Sequence, residues 1–362
     1  MHSPESADYC AALRSELDRA RGARLAIPLS GHPDPDAMAS GWALAELAAR
    51  AGLTPSLLFA RPVSHAENRL MVSALGVPLV RFDPDTAQAF DAYALVDTHE
   101  LDPTYEALAK LPCLAIWDHH EGEPSNVPKH AELRSDVGAT STIATEHLRA
   151  AGVLEPGGSE TLLVGEQWPQ TGGSGRMRLT TALLIGIASD TEDYLLAHAR
   201  DHLAAALLLP LANRPLYRRI HRRAYTVAAM LTLERALSGV IVRGTMGVAW
   251  VGQVPPEERD TIPQAADLLV SRDDLDTALV FGRVGDSIDG SLRTLNPSVS
   301  PAQLIREALG SDASGRPFGG GREGKGGFRL PLASGSIQEI EALRKHVEQR
   351  FLAVAPTLPR MP

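Results

Sequence analysis

The sequence predicts an α/β protein of two domains: a mostly parallel sheet domain first, then a smaller α/β domain. Three observations lead there. The chain has 362 residues, and domains average roughly 150. Apolar residues make up 44% and charged residues 22%, which fits a folded globular chain and excludes a disordered or fibrous one. Short apolar runs of strand length alternate with segments of helical spacing, the rhythm of βαβ units whose sheet is covered on both faces.

Residues 7–20 space Ala, Leu and charge as a helix, 24–29 (RLAIPL) read as a buried strand, and 38–51 (MASGWALAELAARA) as a helix. A strand at 55–60 and a helix at 66–75 follow. The runs AYALV (92–96) and CLAIW (113–117) are strands, each followed at once by polar residues able to bind metal. Helices are expected at 140–152, 179–189 and 197–209, with a Gly- and Gln-rich surface insert at 154–178. Residues 1–210 then form the first domain and 211–236 a helical linker, whose Arg218, Arg219, Arg222 and Arg223 read as a solvated face. The second domain, 237–354, has strands at 240–243, 246–251, 277–281 and 291–293. Its helices are expected at 260–271, 300–309 and 336–352, around a Gly-rich segment at 315–329, with a disordered tail. A cleft between the two domains is expected.

The net charge of −9 disfavours broad binding to duplex nucleic acid but leaves room for a small anionic substrate. Two cysteines, Cys10 and Cys113, make neither a disulfide framework nor a thiolate zinc site. No run approaches the ~20 apolar residues of a membrane span. MHSPESADYC lacks the basic start and apolar core of a signal peptide, so the expected location is the cytoplasm and no membrane partner is expected.

Four places join acids or histidines to apolar elements: GHPDPDA (31–37), VDTH (96–99), WDHH (117–120) and ASDT (188–191). Any one of them reads equally as a turn or a helix cap. Three follow predicted parallel strands, and the carboxyl ends of such strands share one crevice. Carboxylates gathered there repel one another, and divalent cations resolve the conflict. Imidazole with carboxylate and no thiolate suits Mn²⁺, Fe²⁺, Co²⁺ or Zn²⁺, and Mg²⁺ less well. The donors suffice for two metals, and a pair about 3.5–4 Å apart suits in-line displacement at phosphorus.

In that order, the motifs PDPDA (33–37), VD (96–97), DHH (118–120) and SD (189–190) resemble those of the DHH phosphoesterases. That family includes RecJ-type exonucleases, nanoRNases and family II inorganic pyrophosphatases. SHAEN (64–68), GATST (138–142), SLRT (291–294) and the Gly-rich 319–327 add to a likeness spanning roughly residues 24–330. The resemblance implies that Asp97 bridges two metals, that Asp34 with His32 binds the first, and that Asp36, His119 and Asp190 bind the second. His120 would lie near the substrate phosphate or the attacking water, with Asp118 orienting an imidazole. Arg293, Gly320, Gly321 and Arg322 would hold a terminal phosphate or the nucleotide, and His65 would contribute to substrate binding. The chain departs from the family twice. One residue separates His32 from Asp34 where three are usual, and Arg322 stands where many members have the His of a GlyGlyHis.

GGGREGK (319–325) matches the outline of a phosphate-binding P-loop, but Gly326 follows where Ser or Thr would bind Mg²⁺. Backbone amides there could still cradle an anion; a plain Gly-rich turn is the alternative. Residues 64–68 read as a capping box. The segment 138–142 reads either as a cap or as a helix N-terminus that meets phosphate. The expected protein is a metal-dependent phosphoesterase that degrades short single-stranded RNA or DNA, or linear dinucleotides, with Mn²⁺ and with Mg²⁺, Co²⁺ or Zn²⁺ as alternatives. A 3′-phosphoadenosine 5′-phosphate phosphatase, a pyrophosphatase or polyphosphatase, and a non-catalytic nucleotide-binding protein are the other readings; a homodimer is compatible with all of them.

Overall fold

The computed structural model describes residues 4–64, 66–124, 128–155, 160–165, 173–221, 226–312 and 314–354. The chain divides into two compact units, Met1–Ala224 and Tyr225–Pro362. The boundary falls inside the expected linker, whose described residues form α7 (Arg214–His221) in the first unit and α8 (Val227–Gly239) in the second.

Among its described residues the first unit holds six strands: β1 (Arg24–Leu29), β2 (Thr54–Phe59), β3 (Leu79–Arg81), β4 (Ala92–Val96), β5 (Cys113–Asp118) and β6 (His130–Leu133). All pair in parallel, in the order β3-β2-β1-β4-β5-β6. Alternate side chains divide between two cores, as the two-residue period of a strand requires. Ile27, Ala94, Val96 and Trp117 face one core, and Ala26, Tyr93, Leu95 and Ile116 face the other. On the first face lie α1 (Pro4–Arg19), α2 (Pro35–Arg50), α3 (Ala66–Leu75), α4 (Thr140–Ala150), α5 (Gly175–Asp190) and α6 (Ala199–Leu208). Two 3₁₀ segments, Pro84–Ala89 and Pro103–Leu108, close the second face with Ala87, Tyr105 and Leu108, helped by Phe82 and Phe90. The sequence signalled neither segment.

The chain leaves β1 for β2 on one side and returns to β4 on the other, so the order switches between β1 and β4. Sites form there, beyond the carboxyl ends of the strands. The expected surface insert is anchored where it is described: Leu163 and Val164 donate backbone N–H bonds to Glu46 Oε2 at 2.8 and 3.1 Å. Trp42 Nε1 donates to the Val164 carbonyl. Residues 175–178 belong to α5 rather than to the insert.

The second unit carries a mixed sheet in the order β11-β12-β10-β9-β8-β7. Its strands are β7 (Ile241–Arg243), β8 (Met246–Val254), β9 (Thr277–Val284), β10 (Ser287–Thr294), β11 (Gly319–Arg322) and β12 (Lys325–Pro331). α8 and α9 (Thr261–Val270) fill one face, and α10 (Pro301–Leu309) with α11 (Ile337–Val354) fills the other. The Gly-rich segment is neither a P-loop nor an irregular turn. It is an antiparallel hairpin turning at Glu323-Gly324, with Gly324 at φ +71°. A Cβ on Gly321 would lie 2.6 Å from the Lys325 carbonyl and one on Gly326 2.8 Å from Pro301, so glycine lets the hairpin lie against α10. The expected tail at 355–362 lies outside the described residues.

Candidate metal centre

The loop after β1 begins the site. Asp34 caps α2, its Oδ1 accepting the Ala37 N–H at 2.9 Å. Pro35, at the first helical position, lacks the donor that position cannot use. Asp36 follows in the first turn and is fully buried. Its two oxygens accept the backbone N–H groups of Thr140 and Ser141, each at 2.7 Å. The N-terminus of α4, in the segment read either as a cap or as a phosphate-meeting terminus, holds the Asp36 carboxylate.

Asp97 follows β4 with φ +58°, in the left-handed region that a side chain seldom adopts. Its N–H donates to the Trp117 carbonyl at 2.8 Å and its carboxylate accepts from Thr140 Oγ1 at 3.2 Å. β5 delivers Asp118, His119 and His120. Asp190 is the last residue of α5, at the negative end of the helix dipole, where a carboxylate calls for a cation.

Donor atoms of Asp36, Asp97, His119 and Asp190 all lie within 4.8 Å of one another, and those of Asp97, His119 and His120 form a second such group. His119 Nε2 stands 3.4 Å from Asp97 Oδ1 and 3.3 Å from Asp190 Oδ2, yet it is buried without a hydrogen-bond partner. Electrostatics describe the same crowding. Burial, then the charges of Asp97 and Asp190, push the Asp34 carboxyl up to about 7. The same causes raise Asp36, and burial raises Asp97. Burial pulls the His119 imidazole down, but the Asp190 and Asp97 carboxylates outweigh it and push it up to about 11. Clustered carboxylates around an unpaired imidazole nitrogen fit a divalent cation in ligand type and in charge.

Asp118, fully buried, organises the imidazoles. Its Oδ2 accepts from His99 Nδ1 at 2.6 Å and its Oδ1 from His120 Nδ1 at 2.8 Å. Burial disfavours its charge, but the bonds from His120 and His99 outweigh that and hold the carboxyl below its ordinary value. His120 is thereby fixed through Nδ1 while half of its side chain stays exposed. His99 closes the VDTH motif, which marked it as polar and near the site, but nothing in the sequence names Asp118 as its partner. His99 rests directly on Gly122, where a Cβ would lie 2.3 Å from Nε2.

His32 does not join the cluster; its Nδ1 is 2.8 Å from the Pro62 carbonyl and its side chain faces solvent. Asp34 stands at the edge, within reach of the charges but outside the tight donor groups. His65 lies outside the described residues. Arg293, Gly320, Gly321 and Arg322 belong to the second unit. The Arg293 guanidinium already bonds Asp267 Oδ1 at 2.6 Å and Ser291 Oγ at 2.8 Å. Gly320, Gly321 and Arg322 form strand β11. Asp201, unassigned in sequence, anchors the loop before α4 by accepting from the Gly138 N–H at 2.8 Å and Thr142 Oγ1 at 2.6 Å.

No family model matches the chain. It is 29% identical over 325 residues to an uncharacterised protein of Methanocaldococcus jannaschii, covering 89% of this chain and 61% of that protein. The chain thus spans about three fifths of the length of this curated relative. Among solved structures it is similar to an exopolyphosphatase-related protein from Bacteroides fragilis, with a TM-score of 0.66, 14% identity, and coverage of 96% of this chain and 97% of that one. It is also similar to exonuclease RecJ bound to manganese, with a TM-score of 0.51, 17% identity, and coverage of 99% and 96%. These likenesses define the class as a two-unit α/β fold led by a parallel sheet. The order of the motifs PDPDA, VD, DHH and SD remains a resemblance to the DHH phosphoesterases, and the solved structures share the fold.

Proposed function

We propose that the chain is a metal-dependent hydrolase of phosphoester bonds that degrades short single-stranded oligonucleotides or linear dinucleotides to mononucleotides. The observation that carries this reading is the convergence of Asp36, Asp97, His119 and Asp190, with His119 Nε2 buried and unpaired among them. Asp97 belongs to both donor groups, the position of a residue shared by two cations. Mn²⁺ is among the cations these donors suit, and the structure of RecJ, a fold neighbour, holds manganese.

Bound cations would neutralise phosphoryl oxygens and lower the pKa of an attacking water. The chain's own residues do the rest. Thr140 and Ser141 fix the Asp36 carboxylate through backbone N–H bonds. Asp118 orients His120, whose exposed edge meets a phosphoryl oxygen or moves a proton. The acidic net charge favours small substrates over long polymers.

The test is Mn²⁺-dependent hydrolysis across linear dinucleotides, longer single strands, cyclic dinucleotides, 3′-phosphoadenosine 5′-phosphate and pyrophosphate. Mononucleotide release from dinucleotides and short strands, lost with chelator and in Asp97→Asn, is the expected result. Preference for pyrophosphate or for 3′-phosphoadenosine 5′-phosphate would replace this substrate reading. Activity that survives Asp97→Asn would remove the two-cation reading altogether.

A further inference from the structure

A second constellation lies apart from the acidic centre, on the side of the sheet facing α4. His130 and Glu132, two residues apart on β6, point the same way, and His147 near the end of α4 meets them. All three side chains are buried, and their donor atoms lie within 4.8 Å of one another. His147 Nε2 is 2.7 Å from Glu132 Oε2. His130 Nε2 is 3.9 Å from that same oxygen, beyond hydrogen-bond reach, and has no partner although its side chain is only 4% exposed. A buried polar nitrogen left unpaired is destabilising, so the site calls for a partner.

We infer that His130, Glu132 and His147 form a zinc site that clamps edge strand β6 to α4. Two imidazoles and one carboxylate, with Zn–N and Zn–O distances near 2.0–2.2 Å, are a common zinc donor set. At those lengths the donor atoms of a tetrahedral site lie about 3.3 Å apart, between the 2.7 and 3.9 Å found here. The surroundings suit a cation. Arg134 holds Glu132 Oε1 at 3.2 Å, as the outer partners of metal ligands do. Arg134 and Arg200 are outnumbered by Glu132, Asp136 and Glu146 within the same network, which leaves negative charge over. A cavity of about 800 Å³ borders the group at His147. The opposite end of α4 holds Asp36, so the ion would steady the helix that positions the acidic centre.

The test uses the full chain carrying Asp97→Asn and Asp190→Asn, which disable the acidic centre, stripped with chelator and titrated with Zn²⁺ and Co²⁺. One equivalent of zinc per chain that survives gel filtration, a visible Co²⁺ absorption band and a raised melting temperature are expected. Adding His130→Gln should reduce the bound zinc to none. Glu132→Gln gives the same readout should the histidine variant fail to fold. No retained equivalent in the disabled chain, or an equivalent and band unchanged by both substitutions, overturns the site.

Discussion

Asp97 shows a single residue giving up stability for a position. Its φ of +58° turns the chain sharply after β4 and carries its carboxylate in among Asp36 and Asp190. Left-handed backbone costs a side chain about 1–2 kcal/mol, and like charges add to that. Asp97→Gly should therefore stabilise the metal-free chain by about 1 kcal/mol, read as a higher melting temperature, while abolishing Mn²⁺-dependent turnover. Asp34 gives a pH signature. Its folded carboxyl, pushed up to about 7, holds its proton more tightly than the unfolded one, so stability falls as pH rises from about 4 to about 7. Metal-free Asp34→Asn lacks that slope, and its stability gain over the parent should grow across this window, as denaturant melts at several pH values would show. Asp118→Asn should lower metal affinity or activity roughly 10–100-fold, measurable by Mn²⁺ titration. At this scale the sequence was legible where an acid or histidine directly follows an apolar strand, as with Asp97 and Asp118–His120. It was not legible where a partner comes from elsewhere, as when Asp118 binds His99 or α4 binds Asp36. Nothing local to His32 shows that the Pro62 carbonyl takes its ring.

Among the elements, long apolar runs announced themselves. β1, β4 and β5 are buried almost throughout, and their composition leaves no other reading. β3 and β6, of three and four residues, are too short for a period to register. β11 and β12 were hidden by glycine, which has low strand propensity; Gly321 and Gly326 sit there because α10 leaves no room for a side chain. This hairpin shifts the substrate prediction for the second unit onto Arg322, exposed on edge strand β11, and away from Arg293, engaged with Asp267. Arg322→Ala should raise KM more than it lowers kcat, the pattern of lost ground-state binding, in steady-state assays on a dinucleotide. Arg293→Ala should instead lower the melting temperature of the second unit.

The molecule as a whole is two cores on one chain. Apolar clusters fill both faces of the sheet in each unit, and residues 226–354 alone should give a folded circular dichroism spectrum with a cooperative melt. No helix among the described residues is long and apolar enough to cross a membrane. Within the first unit α5 meets α4 and α2 closely at Gly186. A Cβ there would lie 2.3 Å from Ser141 Oγ and 3.2 Å from Asp36 Oδ1. Asp190 comes one turn later on the same helix. The missing methyl group is a spacer: it sets how close the arm bearing one acid may draw to the seat of the other. Gly186→Ala gains about 1 kcal/mol of helix propensity, loses about 1–3 kcal/mol to overpacking against Ser141 and Asp36, and holds the two acids too far apart to share an ion.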